Sequence, residues 1–308
     1  MKRDLLIPTA WDLDRLKPLL ESVAGQTTTP DRVVFLIHGS RDAEALELIE
    51  EIIREGLSDI SSTIEVVHHH NSDYQPGQGV GYDRDWLVRQ ATSEYLYMID
   101  DDNVFDETFF GSCLAEYMEL SDVLRSPLIE YRRSGEIQSA GIRSMHRWMP
   151  IYLPSNFLFG WLLPTGEVKM IGANSLLWPT TLFQSIWFDP QYISCLEDVD
   201  FSYRVYLSGM QIVVSDHISI HHMERQKSLL EKKFLWSPDI AFERSRNRIT
   251  FCKKNATLWQ KIQYFGIGVR GQTWWFIYLV LRYGGKQRWR LVRAVVGGTV
   301  EWFIGWQR

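Results

Sequence analysis

The sequence predicts an α/β fold: a mostly parallel sheet with helices on both faces, followed by a C-terminal helical segment. Three observations predict it. Short apolar runs rich in β-branched residues alternate with apolar stripes at helical spacing through the first 225 or so residues, the pattern of strands that need crossover helices. The chain has 308 residues, 45% hydrophobic and 23% charged, which leaves room for a large core and excludes disorder as its main character. Charge also divides the chain. Met1–Glu224 holds 16 Lys and Arg against 34 Asp and Glu, and Arg225–Arg308 holds 17 against 4, so a net charge of −5 conceals −18 and +13. Seven of the 13 Trp fall in the basic part. The expected organisation is one domain over 1–225 and a basic, Trp-rich helical tail over 226–308.

The elements follow in order. Leu5–Pro8 is a short apolar run ending in a Pro-Thr turn, a first strand. Leu13, Leu16, Leu19, Leu20 and Val23 recur at helical spacing, and Gly25 closes that helix. Arg32–Ile37 is continuously apolar after its Arg, as a buried strand requires. Ala45, Leu46, Ile49, Ile52 and Ile53 form a second helix ending at Gly56, and Thr63–Val67 alternates as a third strand. His68-His69-His70 follows it and reads as structural. A loop with Gly77, Gly79 and Gly81 leads to a helix around Arg84–Ala91. Tyr95–Ile99 is a fourth strand running into Asp100-Asp101-Asp102. Phe109, Phe110, Cys113, Leu114, Tyr117 and Met118 make a further helix, with a strand near Val123–Ile129.

Ligands of such sheets sit at the carboxyl ends of the strands, and the acidic triplet lies at one. Alternate residues of an extended chain share a side, so Asp100 and Asp102 can converge on one cation, and oxygen ligands of this kind suit Mg²⁺ or Mn²⁺. A solvated acidic turn or a helix N-cap is the competing reading. Glu197-Asp198-Val199-Asp200 opens a helix, where acidic residues are favoured by the dipole or serve as a general base. Ile212–Ile220 is a strand leading into His221-His222, and neutral imidazole is a ligand for Mn²⁺.

Taken together, these parts resemble the family 2 inverting glycosyltransferases of the GT-A fold. The resemblance rests on Leu6-Ile7-Pro8-Thr9, Ser22-Val-Ala-Gly-Gln26, Gly39-Ser40-Arg41-Asp42, Gly79–Asp85 and Tyr97-Met-Ile-Asp-Asp-Asp102. It continues through Gly172-Ala173-Asn174, the Glu197-Asp198 pair with Arg204 and Gly209, and a terminal His221 or His222. It implies a metal-dependent transferase that moves a sugar from a nucleotide-diphosphate donor to a glycan or lipid-linked acceptor in cell-surface polysaccharide or glycolipid synthesis. By position, the resemblance makes Asp198 the catalytic base and Asp102 the ligand of Mn²⁺ or Mg²⁺. His221, as the first His after the strand, is implied ahead of His222 as a further ligand. Thr9, Arg84, Asp100 and Asp101 line the nucleotide-sugar site, and Gly172, Ala173, Asn174 and Glu197 belong to the acceptor and donor loop. Ile37-His38 stands where the family commonly carries an acidic pair before Gly-Ser, so UDP is not implied. No Gln-x-x-Arg-Trp motif follows the Glu-Asp pair, which implies a non-processive enzyme. Arg246-Asn247-Arg248 resembles a segment of bacterial rhamnosyltransferase-like members.

Two other classes compete. A non-catalytic sugar-nucleotide-binding or membrane scaffold subunit would not need Asp102, Asp198 and a terminal His together. A nucleotidyltransferase needs a Gly-rich phosphate loop with a Lys near the first strand, and Leu5–Arg15 has none.

In the tail, Trp274–Leu281 is apolar for eight residues between Arg270 and Arg282, short of the roughly 20 that span a bilayer. Leu291, Val292, Val295 and Val296, with Lys286, Arg288, Arg290 and Arg293 nearby, predict a basic amphipathic helix, and Trp289, Trp302 and Trp306 suit a lipid headgroup layer. The expected partner is an anionic membrane surface rather than nucleic acid. A helical cap or an oligomer interface is the bland alternative. Three scattered cysteines and an apolar run too short for a signal peptide predict a cytoplasmic protein, peripheral on the inner face of the cell membrane.

Overall fold

The structure is a computed structural model. It describes residues 1–9, 13–37, 43–60, 65–70, 79–119, 123–139, 141–145, 152–154, 166–168, 170–172, 177–223 and 237–304. The first half alternates as expected: β1 (Arg3–Thr9), α1 (Leu13–Ala24), β2 (Arg32–Ile37), α2 (Ala43–Gly56), β3 (Glu65–His70), α3 (Val80–Gln90) and β4 (Tyr95–Met98). Strands β1, β2, β3 and β4 are parallel, with β4 beside β1 and β3 at the far side of β2. Alternation along each strand sends side chains to two cores. Leu5, Ile7, Val33 and Phe35 face α1, α2 and α4 (Phe109–Glu119), and Leu6, Val34, Leu96 and Met98 face α3 and α5 (Glu197–Leu207). Each such fully buried Leu, Val or Ile contributes about 1.5–3 kcal/mol, which is why the strands are apolar on both sides and read so clearly in the sequence.

A second sheet forms from β6 (Val123–Tyr131), β7 (Ile137–Ser139), β10 (Gly166–Val168) and the long β12 (Gln211–His222), with β5 (Asn103–Val104) paired antiparallel to the end of β12. Strands β8 (Ile142–Met145) and β9 (Tyr152–Pro154) pair separately, and β11 (Trp178–Pro179) borders β4 in the first sheet.

Three sequence expectations need adjustment. Helix α3 begins at Val80, so Gly81 lies inside it and not in the loop before it. The third strand, described over Glu65–His70, continues past Val67, so His68, His69 and His70 lie within it, opposite Phe35, Leu36 and Ile37, while Thr63 and Ile64 lie outside the described residues. Likewise His221 and His222 close β12 instead of following it.

Over 237–304 the chain is mainly helical: α6 (Pro238–Asn255), α7 (Leu258–Gln263), α8 (Val269–Tyr283) and α9 (Arg288–Ile304). Ser237 caps α6 by accepting from Ile240 N, and Thr257 and Gln260 form a reciprocal capping box at α7. Gly298 lets α9 lie directly on α6, since a Cβ there would come within 2.2 Å of the Phe242 carbonyl oxygen. These helices are attached to the sheet part by α6. Lys254 Nζ donates to Asp189 at 2.5 Å and to Asp200 at 3.0 Å, and Asn255 Nδ2 donates to Asp200 at 2.7 Å. Among the described residues no helix is long and apolar enough to cross a membrane.

Candidate active site

Parallel strands end on one edge of a sheet, and at that edge β4 runs into the acidic triplet. Asp102 is fixed by its backbone, whose carbonyl accepts from Met223 N at 2.8 Å. The β5–β12 register then sets His222 opposite Asn103, and His222 Nε2 stands 3.0 Å from Asp102 Oδ2. His221 points elsewhere, with Nδ1 3.7 Å from Glu130 and Nε2 3.8 Å from Asp106. The sequence reading put His221 first. Strand alternation gives the place beside Asp102 to its neighbour. His222 is buried and lies edge-on to Tyr131. Arg15 of α1 also reaches Asp102 Oδ2, at 3.4 Å, and Asn103 Nδ2 donates to Oδ1 at 3.1 Å.

Cis ligands on an octahedral ion with bonds of about 2.1 Å stand about 3 Å apart, so the Asp102–His222 pair has the spacing of two ligands of one cation. A carboxylate with an imidazole is also a donor set for Mn²⁺ or Mg²⁺. Among the described residues no group of three His, Cys, Asp or Glu side chains gathers as a metal site.

The N-terminus of α3 supplies Arg84. It approaches the 189–193 loop so closely that a Cβ on Gly79 would sit 1.9 Å from the Ile193 carbonyl oxygen, and one on Gly81 would sit 2.5 Å from that of Asp189. Val80 N and Gly81 N donate to the Ile193 and Tyr192 carbonyls. This contact brings the buried Arg84 between two acidic groups: Nη2 is 2.8 Å from Asp100 and Nε is 3.4 Å from Glu197. Its Nη1 is buried with no hydrogen-bond partner among the described residues. Arg84 thus joins the end of β4 to the start of α5.

Helix α5 begins on a strained turn. Cys195 and Leu196 have φ of +52° and +73°, a conformation that costs roughly 1–2 kcal/mol for each side-chain-bearing residue and must be imposed by its surroundings. Asn247 of α6 supplies that constraint, because Nδ2 donates to the carbonyls of both Ser194 and Cys195. Arg246 adds a hydrogen bond to the Gln191 carbonyl at 2.6 Å.

The three carboxylates that follow are used differently. Asp200 is fully buried and accepts from Tyr192, Arg204, Lys254 and Asn255. Glu197 is buried against Arg84. Asp198 is half-buried: Oδ1 accepts from Val199 N at 2.7 Å, and a Cβ on Gly172 would lie 3.8 Å from Oδ2. Burial, then the charge of Asp198, pushes the Glu197 pKa upward against the pull of Arg84. Burial raises Asp198 as well, opposed by Arg84 and the Val199 N–H and assisted by Asp100.

Of the other expected site residues, Thr9 ends β1 with its hydroxyl buried and without a hydrogen-bond partner among the described residues, and Asp101 is buried at the end of β4. Ala173 and Asn174 lie outside the described residues. The sequence reading missed Arg15, which carried no motif. It noted Asn247 only within a triplet, without a role.

The chain belongs to glycosyl transferase family 2, whose model matches residues 4–165. It is a glycosyltransferase of the GT-A fold. Solved structures with which it shares that fold include S. aureus TarS 1–349 in complex with UDP-GlcNAc, 15% identical over 99% of this chain and 92% of that one, with a TM-score of 0.56. A longer S. aureus TarS structure is 17% identical over 98% of this chain at a TM-score of 0.53, and this chain spans 55% of its length. GalNAc-T7 with UDP, GalNAc and Mn²⁺ is 13% identical over 87% of this chain and 56% of that one, with a TM-score of 0.58. No curated protein matches the chain. Family membership decides against the nucleotidyltransferase reading.

Proposed function

We propose that the protein transfers a sugar from a nucleoside-diphosphate donor to an acceptor hydroxyl with inversion at the anomeric carbon. Asp198 is the base, and Asp102 with His222 holds a divalent cation, Mn²⁺ or Mg²⁺, at the donor's diphosphate. One observation carries the reading. Of the three carboxylates opening α5, Asp198 alone is only half-buried, whereas Glu197 and Asp200 are buried, and Arg84 ties that helix start to the acidic end of β4.

The chemistry is a single displacement. The acceptor O–H hydrogen-bonds to Asp198 and passes its proton to that carboxylate as the oxygen attacks the anomeric carbon. The carbon–oxygen bond to the diphosphate breaks on the opposite face, and its electron pair leaves with the nucleoside diphosphate. A bound divalent cation would offset the charge growing on that leaving group. Arg84 holds Asp100 and Glu197 in place and has Nη1 free of described partners, a donor suited to a phosphate oxygen. Thr9, Asp100 and Asp101 line the nucleotide end, and Gly172 lies beside Asp198 on the acceptor side. The acceptor class is a glycan or a lipid-linked acceptor, and addition is non-processive.

The simplest test is thermal unfolding against a panel of nucleotide sugars. A matched donor at 100 times its Kd adds about 2.7 kcal/mol, so Tm should rise with that donor plus Mn²⁺ and much less with either alone. No rise with any donor in the presence of Mn²⁺ would remove the reading.

Two further outcomes follow from the geometry. Because the base must be ionised and burial raises the pKa of Asp198, kcat/KM should fall on the acid side at a pH above the ordinary Asp value of about 3.9. Arg84 opposes that shift, so Arg84→Gln should move the acid limb to higher pH; a limb that stays put or moves down contradicts the assignment. Asn247→Ala leaves two carbonyls of the strained turn without their donor, at about 1–3 kcal/mol, and releases the start of α5. Since misplacement by about 1 Å costs ~10²-fold in rate, kcat should fall up to that much with the donor KM little changed. A variant that merely lost stability would show normal kcat per folded molecule.

A further inference from the structure

The helix run Leu258–Tyr283 passes from α7 through a π-helical turn (Tyr264–Gly268) into α8 without a break. It is apolar on two sides. The inner side is occupied: Tyr264 and Val269 pack with Ile249 and Cys252 of α6, and Phe276, Leu279 and Val280 pack with Ala241, Leu291 and Val295. The outer side carries a stripe at helical spacing, Trp259, Ile267, Trp274, Tyr278 and Leu281, with Trp275 beside it. Ile267 is 78% and Trp274 70% exposed, and Trp275 stacks on Tyr278 with ring centroids 5.6 Å apart, so large apolar and aromatic side chains recur on this side of the helix run.

We propose that this outer stripe docks on the surface of an anionic phospholipid bilayer, with the helix lying in the plane of the membrane. The inference uses none of the residues assigned to the transfer site and stands or falls apart from that reading. Three observations select a lipid surface over other occupants. From Leu258 to Ile304 the cations are Lys261, Arg270, Arg282, Lys286, Arg288, Arg290 and Arg293, against the single acid Glu301. The stripe itself contains exposed Arg270 and Arg282, which suit a headgroup layer and not a bilayer interior. Its large side chains are Trp and Tyr, whose rings favour that same layer. A second copy docking through the same stripe would bring these cations against their own kind, so charge disfavours a symmetric dimer there. The acidic part of the chain, −18 over Met1–Glu224, is repelled by the same lipid, so docking also orients the molecule with its helices toward the membrane.

Co-sedimentation of the full chain with vesicles tests it. The wild-type protein should pellet with phosphatidylcholine vesicles that contain phosphatidylglycerol, remain in solution with phosphatidylcholine alone, and dissociate in part as salt rises. Arg270→Glu with Arg282→Glu should weaken binding by at least ~10-fold, from the loss of two surface cations. Trp274→Ser with Tyr278→Ser should weaken it separately, and because all four side chains are exposed the thermal unfolding of each variant should match wild type. Three results would overturn the proposal: protein that stays in solution with anionic vesicles at low salt, equal binding to neutral vesicles, or a concentration-dependent dimer in analytical ultracentrifugation that Trp274→Ser dissolves. The last would give the stripe to a second copy of the chain.

Discussion

Asp198→Asn should leave donor binding near wild type and reduce sugar transfer by ~10²–10⁴-fold, the range for loss of a positioned general base. The two halves of this expectation separate because the proton leaves the acceptor, not the donor. Asn keeps the shape of Asp and its hydrogen bond from Val199 N, so the start of α5 should not collapse. The neighbouring carboxylates are less accessible to an acceptor: Asp200 is fully buried and filled by four donors, and Glu197 is buried beside Arg84. Donor titration by calorimetry and a transfer assay, run on the same preparation, check both halves. Near wild-type turnover in this variant would place the base elsewhere.

The second large effect belongs to the other end of the site. Asp102→Asn should lower transfer by ~10²–10³-fold, the scale of one lost charge-stabilising group, and the wild-type enzyme should lose activity in excess chelator and regain it with Mn²⁺. The histidines supply an internal control. His222 stands 3.0 Å from Asp102, whereas His221 faces Glu130 and Asp106. His222→Ala should therefore weaken the Mn²⁺ dependence, and His221→Ala should leave it close to wild type. The reverse order would restore the sequence-based preference for His221. Arg15, which shares the same Asp102 oxygen, should matter less than Asp102 itself.

What the sequence made legible was local. Strands buried on both faces read as apolar runs, and the helices between them read as stripes, so the order of the sheet part could be followed from β1 to α4. The acidic triplet and the Glu197-Asp198 pair were visible because each sits where an element begins or ends. The remainder depended on contacts across the chain. Choosing between His221 and His222 needed the register of β12 against β5, a pairing of residues more than 100 positions apart. Separating Asp198 from Asp200 needed to know that Lys254 and Asn255 come back to fill Asp200. The clamp of Asn247 on Ser194 and Cys195 spans more than 50 residues, and no local pattern announces it. The C-terminal part shows the same division: its amphipathic helices were readable, but not that α6 fastens them to the loop presenting α5.

The central claim is that Asp102 with His222 serves the donor and Asp198 serves the acceptor. It is tested most directly by measuring release of nucleoside diphosphate from the donor that stabilises the protein, with and without acceptor, in the wild-type, Asp102→Asn and Asp198→Asn enzymes. The account predicts Mn²⁺-dependent release that acceptor accelerates in the wild type, weak donor use in Asp102→Asn, and a tightly bound but unreactive donor in Asp198→Asn. Acceptor-stimulated release that persists at the wild-type rate in Asp198→Asn, or that is indifferent to chelator, would contradict it.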